Sequence, residues 1–151
     1  MTNASLAAVS RAIVACQRCS RLRAYCRRVA RDKKPEFRDW TYWGRPVPGF
    51  GDPQARLLIV GLAPAAHGAN RTGRIFTGDS SGNWLYEALY RFAFASQLQA
   101  VSRDDGLALK DCYILDQRCR TDSRPVLPLR NRIRRIGPSL GRIEISLRGM
   151  S

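Results

Sequence analysis

One imidazole, one carboxylate, two guanidiniums and a phenylalanine fall within 13 residues of this chain: His67, Arg71, Arg74, Phe76 and Asp79. Gly61, Gly68, Gly73 and Gly78 are spread through the same stretch, and glycine lets the backbone approach a ligand closely or turn through positive φ. A ring, two cations and one acid in a glycine-rich loop suit a polyanion that carries a flat ring. Phe76 can stack on such a ring, or it can cap the core. Asp79 can steady positive charge and orient a water; standing before Ser80-Ser81-Gly82, it is equally a good helix N-cap. His67, the sole histidine, can contact a ligand through a neutral ring nitrogen or serve the loop itself. Asn70 and Arg71 can hold the loop or a phosphate, and Arg74 is a second phosphate candidate. Backbone N–H groups at the helix start near Ser80–Asn83 offer an anion site.

Elements on either side must position these groups. Ala55-Arg56-Leu57-Leu58-Ile59-Val60 is a short apolar run, read as a buried strand from Leu57 to Val60. The loop therefore leaves the carboxyl end of a strand, where open α/β sheets bind ligands. A helix from Asn83 to about Phe94 follows, with Trp84, Leu85, Ala88, Leu89 and Phe92 expected to face inward. Asp111 to Leu115 reads as a second strand. Upstream, Leu6, Val9, Ile13 and Val14 recur at helical spacing, so residues 4 to about 31 read as helix. The Cys16-Gln17-Arg18-Cys19 turn interrupts or follows that helix. Pro and Gly exclude a regular element from the aromatic segment 38–51.

The chain has 151 residues, enough for a single domain with one core. Lys and Arg number 26 against 12 acids, a formal charge of +14. Ten of those cations lie between Arg11 and Arg38. Such a field favours nucleic acid or an anionic membrane as partner; a merely basic protein or an arginine-rich genome would look the same. No apolar run is long enough for a membrane span. The first residues lack the basic-then-apolar pattern of a secretory leader. The expected home is a reducing cytosol, with the five cysteines as thiols or metal ligands rather than disulfides. Cys16-x-x-Cys19 has ligand spacing, but zinc, iron–sulfur and plain buried thiols all stay open on that pair alone.

The long loop Gly61–Asp79, continued through Ser80-Ser81-Gly82-Asn83-Trp84-Leu85 and resumed at Asp111-Cys112-Tyr113-Ile114, closely resembles the family-5 uracil-DNA glycosylases. The N-terminal Cys-x-x-Cys and Trp43-Gly44-Arg45-Pro46-Val47-Pro48-Gly49-Phe50-Gly51 resemble that family as well. The resemblance covers roughly residues 5 to 114. It implies a three-layer α/β sandwich around a central four-stranded parallel sheet. It implies excision of uracil, and of other deaminated bases, from DNA. Phe76 would stack on the extruded base and Asp79 would assist at the sugar. Gly61, Ala63, Gly68, Asn70, Arg71 and Arg74 would line the substrate site. Ala65 and Ala66 sit where other uracil glycosylases often carry a polar, water-activating side chain, which implies a roomier pocket. The resemblance also implies a [4Fe–4S] cluster on Cys16 and Cys19, with Cys119 as third ligand, subject to a one-residue register slip. Cys26 and Cys112 match no ligand position of the family.

After Ile114 the family pattern stops. From Asp116 onward there are nine arginines and no lysine, with Ile143–Leu147 as one short candidate strand. Residues 115–151 are therefore read as an aberrant tail on a single domain, and a frameshift near codon 115 with early termination is the expected origin. Two other classes of function stay beside the enzyme: a catalytically inactive nucleic-acid-binding remnant, and an iron–sulfur or zinc interaction module. The chain is taken as a monomer whose partner is DNA, with no membrane.

Overall fold

The computed structural model describes residues 5–116. Cys119 and the candidate strand Ile143–Leu147 lie outside the described residues. The order is α1 (Leu6–Ala15), α2 (Ser20–Asp32), a 3-10 turn (Pro35–Phe37), β1 (Phe50–Gly51), β2 (Leu57–Gly61), α3 (Ala69–Thr72), α4 (Ser80–Arg91) and β3 (Cys112–Asp116). The N-terminal helix is thus two helices. Ser5 caps the first by accepting the Ala8 N–H, and the Cys16–Cys19 turn parts them.

Helices flank a small mixed sheet, so the α/β class holds. β3 is the middle strand of three described. It runs parallel to β2, with Leu57 opposite Cys112 and Gly61 opposite Asp116. On its other side it runs antiparallel to β1, with Phe50 opposite Ile114. This corrects two expectations. The described sheet is not purely parallel, and the aromatic segment is not all loop. A two-residue strand survives the surrounding Pro and Gly because β3 supplies the ladder from outside.

The register of β2 and β3 is pinned at their starts. The Arg56 N–H and Nε donate to the Asp111 carboxylate at 2.9 and 2.8 Å, while the Asp111 N–H donates to Asp52 at 2.8 Å. That clamp brings Gly61 and Asp116 level at the carboxyl ends.

α4 starts at Ser80, earlier than the apolar spacing suggests. The core it covers includes Ile59, Ile75, Leu85, Tyr86, Leu89, Cys112 and Ile114. Its buried residues are Gly82, Leu85, Tyr86 and Leu89, a stripe at steps of three and four. Trp84 lies beside that stripe and Phe92 just past the helix end. Both are exposed, at 63% and 76%, against the inward expectation.

Candidate functional site

The segment between β2 and α4 is packed far more tightly than its polarity suggests. Ala69, Asn70, Arg71 and Thr72 are all buried in α3. Asn70 donates from Nδ2 to the Cys26 carbonyl of α2 at 3.2 Å, and its own carbonyl accepts the Gly44 N–H at 3.1 Å. Thr72 Oγ1 donates to the Gly68 carbonyl at 3.1 Å.

Both loop arginines are committed to protein partners. Arg71, 4% exposed, donates from Nε to the His67 carbonyl at 2.6 Å and from Nη2 to the Gly78 carbonyl at 3.1 Å. Its guanidinium carbon lies 3.9 Å from the Phe37 ring centre and 4.2 Å from that of Trp40, a cation–π contact with two rings set edge to face. Burial pushes its pKa down, against the opposing pull of Tyr42, Asp79 and Glu36. Arg74, 3% exposed, forks onto Asp105 at 2.8 and 2.7 Å and donates from Nε to Thr77 Oγ1 at 2.9 Å. Burial alone would raise the Asp105 pKa. The Arg74 fork and the N–H groups of Leu107, Val101 and Ser102 outweigh it and hold the carboxyl well below its usual range. Neither guanidinium is presented to a phosphate, so of the two roles open to Arg71 the loop-holding one is realised, and Arg74 shares it. His67 Nδ1 meets the Tyr42 hydroxyl at 3.0 Å with the rings edge to face.

Phe76 and Asp79 are placed differently. Phe76 has φ +50°, a left-handed backbone rarely adopted by a bulky residue and costing on the order of 1–3 kcal/mol. A Cβ on Gly82 would collide with the Phe76 carbonyl, so the bare backbone of α4 accommodates this turn. The Phe76 ring is half-buried and leans over Gly61, where an added Cβ would lie 3.0 Å from its edge. Asp79 Oδ1 accepts the Gly82 N–H at 2.9 Å and caps α4. Its other oxygen faces Gly68, where an added Cβ would strike it. Gly61 and Gly68 therefore let that ring and that carboxylate pack directly against the loop backbone. Ala63 is exposed and Ala65 and Ala66 are half-buried, and the Ala65 carbonyl accepts the Asn70 N–H at 2.9 Å.

Tyr86 went unnoticed in the periodicity. It is fully buried and donates its hydroxyl to the Ile75 carbonyl at 2.9 Å, tying α4 to the residue before Phe76. Its spacing from Gly82 and Leu89 was the available signal.

Cys16 and Cys19 line a cleft with Leu22, Arg23, Cys26 and Arg45. The pair suits two ligand positions. Among the described residues, however, no three His, Cys, Asp or Glu side chains are placed to hold a metal, so these residues alone do not complete a metal centre. Burial raises the Cys26 thiol's pKa, with Arg23 opposing. Cys112 is pushed up to about 11 by burial and by Asp111, which makes it an inert core thiol.

The uracil DNA glycosylase superfamily model matches residues 48–138. A type-5 uracil-DNA glycosylase of Pyrobaculum aerophilum is 50% identical over 104 residues, 68% of this chain and 44% of that protein. One from Mycobacterium tuberculosis is 52% identical over 103 residues, 68% of this chain and 38% of that protein. One from Thermus thermophilus is 50% identical over 102 residues, 68% of this chain and 46% of that protein. The chain thus spans less than half the length of these relatives. Its match to the family model takes in β2, the packed segment with Phe76 and Asp79, α4 and β3 together, and the chain belongs to the uracil DNA glycosylase superfamily.

Proposed function

We propose that this chain acts in DNA repair as a glycosylase that hydrolyses the N-glycosidic bond of uracil, and of other deaminated bases, in DNA. The observation that carries this reading is the juxtaposition at the carboxyl end of β2. A strained aromatic ring and a helix-capping carboxylate lie against two bare glycines. A base must leave the duplex stack to reach these groups, and the Phe76 face gives it a surface to stack on.

The chemistry follows from the two groups. The bond between C1′ and the base nitrogen breaks, and its electron pair leaves with the base. Positive charge grows on the sugar. The Asp79 oxygen facing Gly68 is the carboxylate oxygen free to stabilise that charge and to orient the water that adds to C1′. The other oxygen stays on the Gly82 N–H, so the group is held in place while it works. Ala65 and Ala66 add no polar group of their own.

DNA is the proposed partner, met by the exposed cations of α2, with the chain as a monomer in a reducing cytosol. Among the described residues no helix is long and apolar enough to cross a membrane. A [4Fe–4S] cluster held in part by Cys16 and Cys19 belongs to the same proposal. The Cys-x-x-Cys spacing and the shared cleft support it, and iron and acid-labile sulfide analysis of anaerobically purified protein checks it. The activity is tested on an end-labelled single strand with one uracil, cleaved with alkali after incubation. Strand scission at the uracil is expected, and it should fall away with Asp79→Asn. No scission above a thymine control would overturn the reading.

A further inference from the structure

Trp43 is fixed on the packed segment by three contacts. Its backbone N–H donates to the Arg71 carbonyl at 2.9 Å. Its indole N–H donates to the Pro46 carbonyl at 3.1 Å. The bare backbone of Gly73 lies against the ring, where an added Cβ would come within 2.9 Å. Two guanidiniums lie over this one ring, that of Arg45 at 5.3 Å from a ring centre and that of Arg103 at 4.6 Å. Arg103 is anchored through its own backbone as well, because its carbonyl accepts from Arg74 Nη1 at 3.4 Å. Both residues are exposed. We propose that Arg45 and Arg103 form a phosphate clamp for the DNA strand, with Trp43 as its fixed base. This rests on the DNA-binding reading above and names contacts that Arg71 and Arg74 do not supply.

The contrast with the two buried arginines carries the inference. Arg71 gives its N–H groups to the carbonyls of His67 and Gly78, and Arg74 gives its own to Asp105 and Thr77. A cation–π contact engages the charge of a guanidinium and leaves its N–H fork to other acceptors. Among the described residues neither the Arg45 nor the Arg103 side chain donates to a protein acceptor or pairs with a carboxylate. Each therefore keeps the planar fork that grips two oxygens of one phosphate. The shared ring restricts how far either long side chain wanders, so less freedom is lost when phosphate binds. Arg45 also lines the cleft of Cys16 and Cys19. Arg103 is not among the residues lining that cleft, so its variants isolate the phosphate contact.

The test titrates the full chain with a fluorescent strand of thymidines carrying one 2′-fluorinated deoxyuridine, whose glycosidic bond resists cleavage, at a series of salt concentrations. Each phosphate contact on a single strand contributes about 0.7 to the slope of log affinity against log salt. Arg45→Gln and Arg103→Gln should each lower the slope by about that amount, and the double variant by about twice as much. Arg103→Lys keeps the charge but not the fork, so it should keep the wild-type slope and bind more weakly. Melting temperatures should stay at the wild-type value, since both side chains are exposed. A double variant with the wild-type slope would overturn this inference while sparing the DNA-binding reading, whose own mark is a salt-dependent affinity of the wild type. A wild type that binds the strand at no salt concentration would sink both. If Arg45→Gln fails to fold or loses iron, the slopes of the two Arg103 variants decide alone.

Discussion

The N-terminal helices and the segment between β2 and α4 both bring arginine together with apolar and aromatic residues, yet they use it in opposite ways. No residue of α1 or α2 is buried, whereas all four residues of α3 are. In α2, Arg21, Arg27, Arg28 and Arg31 are exposed. In the later segment Arg71 is held against two aromatic rings and Arg74 in a buried ion pair. Arginine in one region is therefore exposed surface charge. In the other it is scaffolding that fixes a loop with few apolar side chains of its own. The net charge of the chain counts the two alike, so charge alone misplaces the contacts.

The strongest way to break this contrast is Arg74→Ala. It leaves the half-buried Asp105 with only the N–H groups of Val101, Ser102 and Leu107, and losing one half of a buried pair costs up to about 3–5 kcal/mol. The urea midpoint should drop accordingly. The Asp105 pKa is depressed in the folded state, so its contribution is present above the ordinary carboxylate range and is lost as pH falls toward the folded value. The gap between wild type and variant should therefore narrow in acid. A variant as stable as wild type at neutral pH would return Arg74 to the surface-charge class.

Asp79→Asn tests the one charge in the segment assigned to chemistry. It keeps size and much of the capping ability while removing charge. Base release should slow by about 3 kcal/mol, roughly a hundredfold, with DNA binding and melting little changed. If the domain unfolds but the rate per folded molecule is unaltered, Asp79 is only a cap. Phe76→Ala should cost about 1–3 kcal/mol in capture of a flipped base, read from the affinity for uracil-containing strands. A change confined to melting would assign the ring to the core. The smallest effect is expected on the exposed side. Arg27→Gln with Arg28→Gln should leave stability unchanged and lower the slope of log affinity against log salt by about one per lost phosphate contact. An unchanged slope would mean that α2 does not touch the DNA backbone.

What could be read from the sequence was local. The apolar runs of β2 and β3 and the cap chemistry of Asp79 are written in neighbouring residues. The roles of Arg71 and Arg74 were not, because Phe37 and Trp40 lie far upstream and Asp105 lies 31 positions downstream of Arg74. β1 was hidden because its pairing comes from β3 rather than from its own composition. Trp84 and Phe92 looked internal because large apolar residues in a helical stretch invite that reading. The buried stripe is set by Gly82, Leu85, Tyr86 and Leu89 instead. Asp116 was grouped with the arginine-rich sequence after it, while its place as the last residue of a parallel strand puts it beside Phe76.

The cap on α4 has a spectroscopic consequence. The Gly82 N–H is bonded to one oxygen of the carboxylate whose other oxygen lies against Gly68, the oxygen proposed to act on the sugar. Its amide proton is a built-in gauge of that carboxylate. A bound sugar that draws Asp79 toward itself lengthens the bond and moves the Gly82 resonance upfield. One backbone signal thus reports occupancy of the site, without label or chemical turnover.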